Sequence, residues 1–312
     1  MKKAFVLLPL YSVLLKRKKR QQRFLQERFA EELGLIQKSD DTLYNKLIYY
    51  ATWGVVSISE VFSDLNKRVL SHEERYLASA LSILYALADY MVDELKLSHS
   101  ETTLYINGKQ SEDPVITWAQ KLLTELQNKT AIGEYLSKAI DAQLKSKDQT
   151  EYSSPEKVRA LTFEKGSLTM LLYRLLIDAP INETEKAAVL QLGYTLQLAD
   201  DIIDVYDDTT DKINTTANVT DLIPVEKYFQ SQIKVSKRLF FDYYGHSANT
   251  RKAFLQFELL FGISHLALQR FQKIQITHFT PTSILQQTRS KFIVDMEKPF
   301  EAFRALWTAI KS

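Results

Sequence analysis

Apolar residues recur at helical spacing along almost the whole chain, and nowhere do they alternate over the length of a strand. The spacing predicts helices over 23–36, 43–69, 72–97, 115–126, 131–146, 155–178, 183–208, 225–243, 248–274 and 281–310. Glycine and proline, which punctuate helices, number only 8 and 7 in 312 residues, so turns are few. Two polar linkers interrupt the pattern, "LSHSETTLYINGKQSEDP" at 97–114 and "DDTTDKINTTANVTD" at 207–221. Neither is long enough, or different enough in composition, to mark a domain boundary. The expectation is one all-α domain without internal repeats.

Several chemistries are excluded at once. There is no cysteine, so disulfides and thiolate metal sites are out, and a reducing, cytoplasmic setting is expected. The five histidines are scattered without metal-ligand spacing, and the net charge of +2 does not call for nucleic acid. Sixteen Tyr, sixteen Phe and three Trp are enough to line an apolar cavity as well as fill a core.

Residues 1–22 stand apart from the helical domain expected over 23–312. A short basic start precedes the apolar run Ala4–Leu15, and "KRKKRQQR" follows. The run is shorter than the roughly 20 residues a membrane span needs, and no small-residue cleavage site follows it. Two readings remain: a helix capping the domain, or a basic-apolar segment resting on an anionic membrane as a peripheral contact.

The segment Gln197–Asp208, "QLADDIIDVYDD", carries five aspartates in nine positions among apolar residues. On a straight helix, Gly193, Gln197, Asp200, Asp201, Asp204 and Asp208 share one face. An ordinary solvated stripe would have nearby cations, yet no Lys or Arg occurs between Lys186 and Lys212. Two carboxylates 4 Å apart repel by about 4 kcal/mol at an effective dielectric near 20. Crowded together they need a cation, and oxygen donors without His or Cys point to Mg²⁺.

Two other helices carry related features. In "SILYALADYMVDEL" (82–95), Asp89 and Asp93 lie one turn apart with Ser82 and Ala86 on the same face, whose small side chains leave room for a ligand. In "SSPEKVRALTFEKGSLTMLLYRLL" (153–176), Lys165 interrupts an apolar stripe of Val158, Leu161, Leu168 and Leu172. It either snorkels at an edge or aims a cation at a buried anion. The acidic pair Glu60 and Asp64 reads as solvated surface.

Together these segments resemble the class I, or trans, isoprenoid synthases over roughly residues 50–220. "DDIID" at Asp200–Asp204 has the form of the family's second aspartate-rich motif, with Gln197 three residues ahead and Lys212 in the following loop. Lys165 matches the lysine of its Lys-Thr motif, although Gly166 replaces the threonine. "YALADYMVDE" is similar to the DxxxD-type first motif of squalene and phytoene synthases, with Ala88 and Tyr90 at positions where Asp often stands.

The resemblance implies an antiparallel helical bundle around an apolar cavity. Asp89, Asp93, Asp200, Asp201 and Asp204 would be catalytic metal ligands for Mg²⁺, commonly three ions, with Mn²⁺ as a substitute. Lys165, Lys212, Arg159 and Gln197 would bind the diphosphate of a prenyl diphosphate substrate. Tyr85, Tyr90, Phe163, Tyr173 and Tyr194 are the rings nearest the motifs, and aromatic faces of this kind would stabilise a carbocation.

The expected activity is that of a terpene synthase, which ionises an allylic prenyl diphosphate and turns the carbocation into a terpene. No basic Gly-Gly-rich segment for a second diphosphate is visible. The alternatives are a squalene- or phytoene-synthase-like prenyltransferase and, in another class, a non-catalytic helical partner subunit. A homodimer is compatible with any of them. A di-iron carboxylate bundle would need paired Glu-x-x-His motifs, and none are present.

Overall fold

The computed structural model describes residues 4–129, 132–147, 154–274, 281–294, 304, 305 and 308. Among them every regular element is helical. By contacts the chain divides into two compact units. The N-terminal unit comprises Leu8–Ser137 with Leu172–Pro180, and the C-terminal unit Met1–Leu7, Lys138–Leu171 and Ile181–Ser312. Three of the boundaries fall within helices and the fourth, Pro180/Ile181, in the turn before Glu183; none falls in the linkers at 97–114 and 207–221.

The N-terminal unit contains α1 (Ala4–Arg28, from Leu8 onward), α2 (Ala30–Ser39), α3 (Asp41–Gly54), α4 (Glu60–Leu65), α5 (His72–Asp93), α6 (His99–Ile106) and α7 (Pro114–Gln127). A π-helical turn, Val55–Ser59, joins α3 to α4 without a break. Helix α5 is the centre: α3 and α7 pack on it, and its face from Leu77 to Leu87 is buried. Ser71 caps it, accepting from the Glu74 N–H while the Glu74 carboxylate accepts from the Ser71 N–H. The same reciprocal cap, Ser98 with Glu101, starts α6 inside the stretch expected to be an irregular linker. There the local cap outweighs the polar composition.

Helix α1 runs unbroken through the basic block expected to be a separate segment. Its inward side combines the apolar Phe24 and Leu25 with polar groups. Gln21 is fully buried and donates to Ala51 O and Ser79 Oγ, while its Oε1 accepts from Arg75. Arg17 Nε lies 2.6 Å and Arg20 Nη2 2.7 Å from Glu60, and Arg17 also forks onto Asp64 at 2.7–2.8 Å.

Arg75 adds a third guanidinium on Glu60 at 2.8 Å. Glu60, 3% exposed, and Asp64 are therefore not solvated surface: they are the anions that fix α1 to its unit. Through Arg17, Arg20 and Gln21, α1 is held on this unit. Residues 1–3 and the side chains of 4–11 lie outside the described residues, and among those described no helix is long and apolar enough to cross a membrane.

The C-terminal unit is built on α10 (Glu183–Ile203), with most of α8 (Gly133–Lys147) and of α9 (Pro155–Leu175), then α11 (Val205–Thr210), α12 (Leu222–Tyr244), α13 (Ala248–Lys273) and α14 (Pro281–Leu285). Apolar residues surround α10 because neighbours cover it on several sides. Thr195 Oγ1 meets Ser236 Oγ of α12 at 2.7 Å, and Ser264 Oγ of α13 donates to Ala199 O at 3.0 Å.

The helix expected over 281–310 stops at Leu285, and a 3₁₀ turn, Arg289–Lys291, follows. Most of the remainder lies outside the described residues.

Candidate functional site

The carboxylates of the second motif lie at the C-terminal end of α10, where the helix dipole disfavours negative charge. The helix expected to run straight through 208 breaks at Asp204, which ends α10 and precedes α11. The break falls where carboxylates one turn apart repel each other.

Asp201 is 6% exposed. Its Oδ2 accepts from Thr162 Oγ1 at 3.1 Å and its Oδ1 from Gln197 Nε2 at 3.1 Å. Gln197 also donates to Asp200 Oδ2 at 3.2 Å. Gln197, expected on a diphosphate, holds the two leading aspartates here.

Burial pushes Asp201 up to about 6, the Asp200 charge adds to it, and Gln197, Lys165 and Thr162 oppose it. Asp204 keeps an exposed edge, yet partial desolvation and then the charges of Asp200, Asp207 and Asp201 raise it to about 7. Asp208, which is not among the expected ligands, is raised furthest, to about 9, by burial and then by Asp201, Asp204 and Asp200. In all three, Lys165 is the cation that favours the ionised form. Asp207 takes another course and holds Arg289 through two 2.6 Å bonds.

Helix α9 reaches α10 by unusually close contact. A Cβ on Gly166 would lie 2.5 Å from both Gly193 O and Gln197 Cβ, and Ser167 Oγ donates to Leu190 O at 2.8 Å. Along α9 the buried residues up to the crossing are Val158, Thr162, Gly166 and Ser167, followed by Met170 to Arg174, while Leu161 and Leu168 are half-buried flanks. Val158 and Leu172 of the expected stripe are therefore inward, while Leu161 and Leu168 give way to Thr162, Gly166 and Ser167, because only small residues fit where two backbones meet. Lys165 is half-buried beside this crossing.

Gly166 is therefore a packing requirement here. Gly166→Ala gains up to about 1 kcal/mol in helix propensity but collides with backbone, and a net loss of roughly 1–2 kcal/mol is expected in denaturant titration. A variant as stable as the parent would remove the close crossing.

Aromatic rings flank the same helices. Phe163 and Tyr194 lie 5.3 Å apart by centroid, Tyr194 Oη meets Tyr228 Oη at 2.6 Å, and the Arg159 guanidinium sits 5.6 Å from the Tyr228 ring centre. Lys212 is exposed, with a left-handed backbone at φ 60° that closes α11. The loop after it is not a loose linker. Thr215, Thr216, Ala217 and Asn218 are buried, Asn218 accepts from Thr215 N–H at 2.7 Å, and Thr216 Oγ1 lies 3.3 Å from Thr162 Oγ1.

In the N-terminal unit, Asp89 and Asp93 stand in the last turns of α5, again at the negative end of a helix. Asp89 Oδ2 is 4.0 Å from Lys46 Nζ, and Tyr90 Oη donates to Asp40 Oδ2 at 3.1 Å. The room expected beside Ser82 is filled: its hydroxyl meets Tyr173 Oη at 2.7 Å, and a Cβ on Gly54 would strike both. Tyr173 is thus a core residue, its phenol pushed up to about 12 by burial.

Among the described residues, no three Asp, Glu or His side chains are already gathered as metal ligands. The structure does bring Asp200, Asp201, Asp204, Asp208, Gln197, Thr162 and Lys165 into one interacting set.

No protein-family model matches the chain, and no curated protein matches it in sequence. Among solved structures, the crystal structure of a geranyltransferase from Legionella pneumophila is similar over 83% of this chain and 99% of that one, with 16% identity and a TM-score of 0.57. The all-α fold of isoprenoid-synthase type, expected from the aspartate-rich motifs, is the fold this chain shares with that protein.

Proposed function

We propose that the chain is an Mg²⁺-dependent class I terpene synthase, which ionises an allylic prenyl diphosphate, releases diphosphate and converts the carbocation to a terpene. The observation that carries this reading is the aspartate set at the end of α10, where three carboxyls are raised well above their ordinary range with Lys165 as the opposing cation. Such a cluster lacks positive charge, and its all-oxygen donors fit Mg²⁺, with Mn²⁺ as a substitute. A bound Mg²⁺ supplies Lewis-acid stabilisation of the charge that develops on the leaving diphosphate.

The chain's own groups have separate tasks. Asp200, Asp201, Asp204 and Asp208 hold the metal, and Thr162 and Gln197 fix both oxygens of Asp201. Asp89 and Asp93 are proposed as metal ligands in the N-terminal unit. Lys165 draws the anionic diphosphate, with Arg159 and Lys212 as further contacts. Phe163, Tyr194 and Tyr228 offer ring faces to a carbocation.

A prenyltransferase that joins two isoprenoid units is the second reading, supported by the fold shared with a geranyltransferase. A non-catalytic partner subunit would have no use for the repulsion this aspartate set maintains.

The test is incubation with Mg²⁺ and geranyl, farnesyl or geranylgeranyl diphosphate, each alone and with isopentenyl diphosphate. A terpene and diphosphate from a single substrate support the synthase; products formed only with isopentenyl diphosphate support the transferase. No diphosphate release from any substrate sinks both. Lys165→Met keeps the apolar stem and removes the charge. Loss of a charge-assisted hydrogen bond of roughly 1.5–3 kcal/mol lowers kcat/KM by about 10- to 150-fold. Activity within about threefold of the parent takes Lys165 out of the site.

A further inference from the structure

A cavity of about 340 Å³ in the N-terminal unit lies outside that chemistry, walled by α1, α4 and the turn leading to α5. Four cations, Lys16, Arg17, Arg20 and Arg68, line it against two anions, Glu60 and Asp64. The neighbouring Arg75 and Glu74 cancel each other, so an excess of two positive charges faces the space.

The cations differ in how far they are engaged. Arg17 is committed to Glu60 and Asp64. Arg20 gives Nη2 to Glu60 and is 52% exposed. Arg68 pairs with Glu74 through its terminal nitrogens, while its Nε is buried without a hydrogen bond among the described residues. Lys16 is exposed at the rim.

The wall is built rather than incidental. Lys67 takes a left-handed backbone at φ 55°, and Ser63 Oγ donates to Arg68 O at 2.9 Å, which fixes the turn carrying Arg68. Val13, Val69 and Leu70 supply an apolar side, with Val69 71% exposed.

The geometry points to a binding site for a phosphate-bearing anion with a short apolar portion. The nitrogens of Arg20 left over from Glu60, beside the Lys16 ammonium, match phosphate oxygens, and the volume sits at the small end of ligand pockets. The cavity is at the start of α5, whereas Asp89 lies 17 residues further along that helix, about 25 Å away at 1.5 Å per residue. This site therefore stands whether or not the prenyl chemistry does. Its phosphate comes either from a soluble diphosphate or from a lipid headgroup, the half-buried Val13 and the exposed Val69 giving the cavity an apolar side that an acyl chain could meet.

The full chain in metal-free buffer is titrated with inorganic diphosphate by calorimetry. It is also sedimented with vesicles of phosphatidylcholine, with and without phosphatidic acid. Binding to diphosphate, or selectively to the vesicles with phosphatidic acid, is expected and identifies the source. Lys16→Gln weakens that binding by about tenfold. Lys38→Gln, an equal loss of charge at an exposed position on α2, leaves it within about twofold. A thermal melt confirms that both variants are folded. If neither source binds, if Lys16→Gln binds as the parent does, or if Lys38→Gln weakens binding equally, the site does not exist.

Discussion

Asp201→Asn removes at least about 10²- to 10³-fold of the turnover and, in metal-free buffer at pH 8, makes the protein more stable than its parent. Both effects come from one buried charge. The carboxyl is raised from 3.8 to about 6, so between those values folded Asp201 keeps a proton that the unfolded chain has released. Stability therefore falls as pH rises through that window, by about 3 kcal/mol in all, and no such penalty exists below about pH 4.

Asparagine keeps the shape and discards the charge. Its amide can accept from only one of Thr162 and Gln197, which returns about 1 kcal/mol, so the net gain at pH 8 is about 1–2 kcal/mol. Denaturant titrations of both proteins at pH 4, 6 and 8 read this directly. A difference that does not grow with pH, or a variant that turns over substrate like the parent, would falsify the assignment of Asp201. Mg²⁺ is expected to stabilise the parent and not the variant.

Glu60→Ala costs roughly 3–5 kcal/mol of stability, the largest structural loss expected from a single substitution here. It leaves Arg17, Arg20 and Arg75 without their common anion, and Arg75 is 6% exposed. The cost arises from the uncompensated guanidiniums rather than from lost attraction. Burial already lowers the Arg75 pKa, Glu60 opposes that, and Arg20 and Arg17 work against it. A variant lacking both Glu60 and Arg75 should therefore recover some of the loss. A single-variant loss below about 1 kcal/mol would show the network to be solvated.

Sequence patterning captures the helix bodies because each contains its own evidence, apolar residues at i, i+3 and i+4. It cannot pair charges that lie far apart. Glu60 looks solvated because its partners Arg17 and Arg20 stand about forty residues upstream, and Asp207 looks unpaired because Arg289 comes 82 positions later.

Gly166 looks like a motif position lost, when its reason is Gly193 across a helix crossing. The Ser98–Glu101 cap, by contrast, is readable and is overshadowed by the polar stretch around it. Asp208 is in view on the helical wheel. Its strong elevation depends on burial beyond the break at Asp204, which no wheel of a straight helix represents.

The π-helical turn at Val55–Ser59 sets the winding of everything that follows it. Buried residues there come in pairs every four positions: 51 and 52, 55 and 56, 59 and 60. A four-residue repeat drifts about 40° per turn on an α-helix, so two such steps would swing Glu60 about 80° away from the line of Ala51 and Thr52. The wider turn absorbs much of that drift. Shortening the turn by one residue would rotate α4 by about 100° and carry Glu60 and Asp64 away from the arginines of α1. A single extra residue in the helical thread thus decides whether the chain's first helix has anything to hold.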